Sequence, residues 1–327
     1  HGVFMNEYSV AIRTLGTAGS KYKALLDSIN VQTVLPKKIL VYLPYGYEEP
    51  GETIGVEHII RCEKGMVAQR SLPFEDIDTE YVLFCDDDMY LPPQFVERIL
   101  ESIEKDGADC IVPDIYQPQK MSLFSRGLST LYNSTLPRKD DGWALKIRRN
   151  VGYSYNVNPQ YDFLPTETGP GGCLFCNMTA FRNIHFEDER WLDKFLFASF
   201  EDQLFLYKLR LANYNVFMYY NSGIKHLDAK ATTRPNVKKR MFYKKKIQYV
   251  VWYRTIYDIE NNGEKWKCKF AFGLRNIIGI LALFGDIIRY RKINYLWDYF
   301  AGLRSGRLYV NSEEYRKVPK FDKFSQK

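Results

Sequence analysis

The sequence predicts an α/β fold with a mostly parallel sheet flanked by helices, and three observations carry that expectation. The apolar run Tyr81-Val82-Leu83-Phe84-Cys85 stops at three consecutive carboxylates, Asp86, Asp87 and Asp88; such a run reads as a strand buried on both faces. Pro92 and Pro93 then open a stretch with apolar residues at 95, 96, 99, 100 and 103, one face of a helix. Upstream, strand-like and helix-like segments alternate as in βαβ units. The three acids therefore stand at the carboxyl end of a core strand, where open α/β sheets bind ligands.

Residues 7–15 form a first strand with Val10 and Ile12 inward, followed by the small-residue loop Arg13-Thr14-Leu15-Gly16-Thr17-Ala18-Gly19-Ser20. Ser20 is placed to cap a helix over residues 21–29, whose apolar face is Tyr22, Leu25, Leu26 and Ile29. Residues 39–43 are a second strand ending at the turn Pro44-Tyr45-Gly46-Tyr47, and residues 58–61 a short third. Residues 65–72 read as a helix, and the acid-bearing strand is the fourth. Another strand covers 109–113. Residues 114–165 lack periodicity, yet Tyr116, Tyr132, Trp143, Tyr153, Tyr155 and Tyr161 argue against disorder. This insertion either offers aromatic faces to a ligand or is a hairpin shielding the sheet. Gly169, Gly171 and Gly172 then feed a strand through Cys173 to Cys176, letting backbone approach a ligand. Glu201 and Asp202 open a helix, where acids by themselves complement the helix dipole. Residues 215–220 are the last strand, and His226 follows.

Three adjacent carboxylates repel one another, and a divalent cation with oxygen ligands and substrate phosphates relieves them. The other reading is a solvated acidic turn capping the next helix. At 327 residues and 46% hydrophobic the chain can bury a large core, so one domain with an appendage or two domains is expected. The composition changes near residue 230, separating a catalytic domain over 3–230 from a helical extension over 231–327. Aromatic residues at 16% suit carbohydrate contact or a membrane interface. Six scattered cysteines, two of them in apolar runs, read as buried reduced thiols of a cytoplasmic protein, and the lone CxxC at Cys173 and Cys176 has no second pair at zinc spacing. No secretory signal is visible, and His1-Gly2 reads as a cloning remnant.

The order of parts resembles the family 2 glycosyltransferases of the GT-A fold, of bacterial polysaccharide-biosynthesis type, over roughly residues 7–228. The Thr-bearing loop after the first strand, the helix ending at Ser28-Ile29-Asn30-Val31-Gln32-Thr33, Lys64-Gly65 leading to Gln69-Arg70, and a DxD at Asp86 and Asp88 carry the likeness. It implies a metal-dependent, inverting hexosyltransferase. The sugar would pass from a nucleotide-diphosphate sugar, UDP favoured, to a hydroxyl of a saccharide or lipid-linked acceptor in cell-surface polysaccharide biosynthesis. It further implies donor contacts from Thr14, Leu15, Gly16, Tyr45, Lys64, Arg70, Asp86, Asp87, Gly171 and Gly172. Mn2+ or Mg2+ would sit at Asp86, Asp88 and His226, and Asp202 would be the catalytic base, with Glu201 orienting it or touching the acceptor. The chain departs from the family where the second strand usually ends in an acidic pair that reads the base. Here Leu43-Pro44-Tyr45-Gly46 stands instead, and Tyr45 either stacks on the base or packs on the sheet. A nucleotidyltransferase of similar fold and a non-catalytic carbohydrate- or membrane-binding protein are the alternatives. The Glu201-Asp202 helix and the absence of a Gly-rich nucleotidyl signature near the first strand speak against the former.

From Arg234 to Arg254 there is no acid, and Arg234, Lys238, Lys239, Arg240, Lys244, Lys245 and Lys246 are interleaved with Phe242, Tyr243, Tyr249 and Trp252. The apolar run at 274–285 is too short to span a bilayer. Such helices either lie on an anionic membrane surface, here the inner face of the plasma membrane, or pack on the catalytic domain with a solvated basic face. No nucleic-acid motif is present, and no heptad speaks to oligomeric state.

Overall fold

A computed structural model describes residues 7–115, 127, 135–195, 199–227, 240–260, 263–290 and 293–321, with the side chains of 285, 286 and 288–290 left out. Tyr116, Tyr132, Arg234, Lys238 and Lys239 lie outside the described residues.

An eight-stranded sheet forms the frame. Its strands are β1 (Tyr8–Arg13), β2 (Lys38–Pro44), β3 (Glu57–Cys62), β4 (Tyr81–Asp86), β6 (Cys110–Pro113), β10 (Phe163–Pro165), β11 (Cys173–Asn177) and β12 (Val216–Tyr219). The spatial order is β10-β12-β6-β11-β4-β1-β2-β3. The strands β3, β2, β1 and β4 run parallel; β11 enters antiparallel between β4 and β6, and β12 runs parallel to β6. The chain moves outward from β1 to β2 and β3, then returns to place β4 on the other side of β1. That reversal is the topological switch point where α/β sheets open a crevice. The crevice falls at the carboxyl ends of β1 and β4, where Arg13 is paired in register with Asp86.

Both sheet faces are covered, which is why the parallel strands are apolar on both sides. On one face lie the helices Ser20–Asn30 and Phe95–Asp106, bringing Tyr22, Leu25, Phe95, Ile99 and Leu100 onto Val10, Ile12 and Leu83. On the other, Ala11, Val82 and Phe84 pack with Phe74, Phe181 and the helix Glu201–Leu211. The same core continues into the carboxyl-terminal helices Arg240–Trp252, Lys265–Tyr290 and Asn294–Val310 through Ile247, Val251, Phe272 and Tyr309. Three ties fasten them: a buried ion pair of Arg254 with Glu189, the indole of Trp252 donating to the Arg149 carbonyl at 3.1 Å, and Trp252 stacked on Phe272 at 4.2 Å. The basic-aromatic helix over 240–252 thus packs inward rather than lying on a surface, because its Ile247, Val250 and Val251 are fully buried.

Several local expectations change. Ser20 is the first helical residue, not the cap; Gly19 holds that position with no side-chain hydrogen bond. Residues 65–72 make only a short 3-10 turn at Ala68–Arg70. The cause is Asp193, whose carboxylate accepts from the backbone of Val67 at 3.0 Å and Ala68 at 2.8 Å and so ties the turn to a distant segment. The aperiodic insertion holds a small sheet of β7 (Leu136–Arg138), β8 (Leu145–Ile147) and β9 (Tyr153–Asn156). All six cysteines are buried free thiols. Cys173 and Cys176, three apart on a strand, face opposite cores, Cys173 meeting Cys85 at 3.6 Å, so the CxxC is no chelate.

Candidate active site

The crevice is built from the ends of β1, β4 and β11 and the start of the Glu201–Leu211 helix. The β4 ladder ends at Asp86, whose amide donates to the Gly172 carbonyl at 2.8 Å, drawing the glycine turn beside the acids. Arg13 closes on the Asp86 carboxylate through two guanidinium nitrogens, Nη2 lying 3.1 Å from Oδ2. Thr14, buried at the end of β1, donates to Asp87 at 2.5 Å and accepts from the Gly16 amide at 2.9 Å. Burial pushes the Asp87 carboxyl up to about 6; the Thr14 hydrogen bond and Arg13 oppose the shift, and the Asp86 and Asp88 charges add to it. Gly16 is required: its φ is +76°, and a Cβ there would meet the Glu48 carbonyl oxygen at 2.2 Å.

Asp88 meets His226, with Nε2 3.2 Å from Oδ1. A two-stranded ribbon of β5 (Met89–Tyr90) and β13 (Lys225–His226) holds them together, reinforced by the Leu227 amide donating to the Asp88 carbonyl at 2.7 Å. Of the three side chains expected to hold a metal, two are therefore adjacent and the third is engaged by Arg13. Among the described residues no group of three or more His, Cys, Asp or Glu forms a metal-holding set. One carboxylate and one imidazole fit a cation whose remaining ligands are diphosphate oxygens and water, the usual arrangement at nucleotide sites.

On the far side of the crevice, Glu201 and Asp202 begin their helix directly after Phe200, which sits in the left-handed region with φ +73°. A side chain other than glycine in that region stores strain, of order 1–3 kcal/mol, and surrounding structure must hold it. Asp202 is seated against Gly171 so closely that a Cβ on the glycine would fall 1.6 Å from Oδ1. Arg70, only 2% exposed, donates to Asp202 and to the Gly171 carbonyl, fixing both. Glu201 is 4% exposed. Burial first and Asp202 second push its carboxyl up to about 7, against the pull of Arg13 and Arg70.

That shift has a stability consequence. The folded-state value lies above the ordinary glutamate value, so the folded protein holds the proton more tightly. The resulting stabilisation is full below about pH 4.5 and is lost as pH rises through about 7, an amount on the order of 3 kcal/mol. Glu201→Gln, which carries no charge to desolvate, should melt at a higher temperature than the parent at about pH 8 and at nearly the same temperature at about pH 4.5. Equal differences between the two proteins at both pH values would contradict a raised Glu201.

The remaining expected residues divide. Leu15 is half-buried beside Thr14. Tyr45 is 68% exposed and lines a cavity of about 300 Å³ with Arg61, Glu63, Leu72 and Phe74, at the ends of β2 and β3. Lys64 points to Tyr47, donating to its hydroxyl and standing 5.0 Å above its ring, with no described contact to the acids. Arg13 escaped the sequence reading altogether. Its signal was a charged residue ending an apolar strand, which gains meaning only once β1 and β4 are known to be neighbours in register.

Residues 49–169 match the family described as Glycosyl transferase family 2. Comparison with curated proteins finds no match. Among solved structures, the crystal structure of GalNAc-T7 with UDP, GalNAc and Mn2+ is similar with 14% identity and a TM-score of 0.51, covering 69% of this chain and 44% of that one. S. aureus TarS 1-349 in complex with UDP-GlcNAc is similar with 12% identity and a TM-score of 0.50, covering 92% of this chain and 80% of that one. This chain thus spans less than half the length of the GalNAc-T7 chain. At such identities the structural likeness speaks to fold, and that fold is the one whose switch point carries the acids described above. The chain thus has the GT-A fold, and its residues 49–169, which include β4 and its acids, match Glycosyl transferase family 2.

Proposed function

We propose that this chain is a glycosyltransferase that moves a sugar from a UDP-sugar to a hydroxyl of a saccharide or lipid-linked saccharide, releasing UDP, with inversion at the anomeric carbon and with help from Mn2+ or Mg2+. The observation that carries the reading is the seating of Asp202: a carboxylate at a helix start, pressed on Gly171, fixed by buried Arg70, and facing the crevice of Asp86, Asp87 and Asp88. An acceptor hydroxyl must lose its proton as the anomeric carbon gains oxocarbenium character, and a fixed carboxylate beside it is the group that takes it. Attack from the side of Asp202 opposite the departing diphosphate gives a single displacement and inverted configuration.

The other residues divide the work. Arg13 holds Asp86 and brings positive charge to the end of β1, where the donor phosphates would lie. Thr14 and the Gly16 amide shape the loop that receives the nucleotide, and the cavity beside Tyr45 is wide enough for a base to rest against an aromatic face. Glu201, buried behind Asp202, orients the helix start. Asp88 and His226 would hold the cation, which when bound supplies charge neutralisation for the leaving diphosphate. The UDP and Mn2+ bound by GalNAc-T7 and the UDP-GlcNAc bound by TarS support the choice of nucleotide and of metal chemistry.

Titration calorimetry with UDP, GDP and dTDP, each with and without Mn2+, tests the donor half. UDP should bind in the presence of metal, and both Asp88→Ala and His226→Ala should weaken it roughly ten- to a hundredfold. Equal binding with and without metal, or no loss in either variant, would sink the metal site. If no nucleotide binds at all, a non-catalytic carbohydrate-binding role replaces the transferase reading.

A further inference from the structure

The helix Lys265–Tyr290 is apolar on two opposite sides, and among the described residues only one of them is covered. Its inner side carries Cys268, Phe272 and Leu283 into the core. Its outer side presents Trp266, Phe270, Leu274, Ile277, Leu281 and Phe284, each 45–68% exposed. Steps of four, four, three, four and three residues place them in one stripe. Among the described side chains of this helix, the other exposed positions are only Lys269 and Gly273.

The next helix repeats the pattern. Ile293, just before it, and Trp297, Phe300 and Leu308 on it are 48–71% exposed, and Arg304 stands in the same row between Phe300 and Leu308. The two helices meet at a buried seam: the Tyr299 hydroxyl donates to Asn276 Oδ1 at 2.9 Å, and Gly279 leaves room for the ring. Apolar patches of this extent are rare on monomeric soluble proteins and mark an interaction surface.

The charges around the rows choose the occupant. Lys269, Arg304 and Arg307 are exposed, whereas no carboxylate is exposed among the described side chains of either helix. A two-fold contact between copies would set this basic patch against itself, with no fully exposed acid among the described side chains of the two helices to answer it. No described helix is long and apolar enough to cross a membrane. Exposed aromatic and aliphatic side chains flanked by exposed Lys and Arg are the chemistry of a helix that rests in the headgroup layer of an anionic bilayer.

We propose that the exposed rows of residues 266–284 and 293–308 form an interfacial docking surface for anionic lipid, on which the two helices lie in the bilayer plane. The inference stands apart from the transfer reaction, since it uses none of the crevice residues. It keeps the expected membrane contact on the helix that carries the apolar run at 274–285, adds the helix after it, and leaves out the helix over 240–252, whose Ile247, Val250 and Val251 are core.

The test is sedimentation of the full chain with vesicles of three parts phosphatidylcholine to one part phosphatidylglycerol, and with pure phosphatidylcholine vesicles. The parent should bind the anionic vesicles at least roughly tenfold more tightly than the neutral ones, and less tightly at high salt. A variant combining Phe270→Ser, Leu281→Ser and Trp297→Ser should lose roughly tenfold or more, as should Arg304→Glu with Arg307→Glu. These side chains are on the surface, so circular dichroism and UDP titration should match the parent and separate lost docking from lost folding. Failure of the parent to bind anionic vesicles, or unchanged binding by both variants, overturns the proposal. So does light scattering that shows, without lipid, a dimer that the triple serine variant dissolves; that result would assign the face to a second copy of the chain.

Discussion

Asp202→Asn is expected to lower turnover by roughly 10²–10⁴-fold while leaving UDP affinity almost unchanged. The amide keeps the size of the carboxylate, so the contact with Gly171 survives, and its oxygen can still accept from Arg70. What disappears is the ability to take the acceptor's proton. Measuring UDP release with an acceptor, beside UDP titration of the same sample, separates chemistry from binding. A loss in nucleotide affinity as large as the loss in rate would show that Asp202 serves the donor pocket instead. Retained turnover would remove it from the reaction and favour another group in the crevice.

Gly171→Ala should be nearly as damaging by a different route. The added methyl carbon would occupy a point 1.6 Å from Asp202 Oδ1 and 2.0 Å from its Cγ. A flexible surface side chain could swing aside, but Asp202 is short, begins a helix after a strained Phe200, and is held by a guanidinium that is itself buried. Displacing a reacting group by about 1 Å costs on the order of 10²-fold in rate, and overpacking costs roughly 1–3 kcal/mol in stability. Gly172→Ala is the internal comparison. Its Cβ would meet Met89 Sδ at 3.3 Å, Ile115 Cδ1 at 3.5 Å and Asp86 Oδ2 at 3.7 Å, all close to ordinary contact, so its stability should fall much less. Denaturant unfolding of both variants checks the difference, and equal stability losses would mean that the Asp202 contact is not what makes Gly171 necessary.

The same two positions show how far local pattern reaches. The acids of β4 and the acids at Glu201 were legible because each ends or begins an element whose periodicity is written in adjacent residues. The glycines at 171 and 172 were legible as a turn, but not the difference between them. One faces a carboxylate from a helix some thirty residues later, and the other faces a thioether. Lys64 illustrates the opposite limit: the resemblance implied a donor contact for it, and its ammonium is found donating to the Tyr47 hydroxyl, a partner that its own neighbours in sequence do not name.

By itself the sequence determined the main parallel strands, the acid triplet at a strand end and the helix opening on Glu201 and Asp202. These depend on hydrophobic period and on residues that punctuate it, both local properties. Tertiary structure alone decided that β11 runs antiparallel beside β4, that Arg13 clamps Asp86 and Arg70 clamps Asp202, and that Asp88 meets His226. It also decided which side of an all-round apolar helix is core and which is left bare. Strand neighbours and burial arise from contacts between residues far apart in the chain, and no local period encodes which distant partner an apolar face or a charge will find.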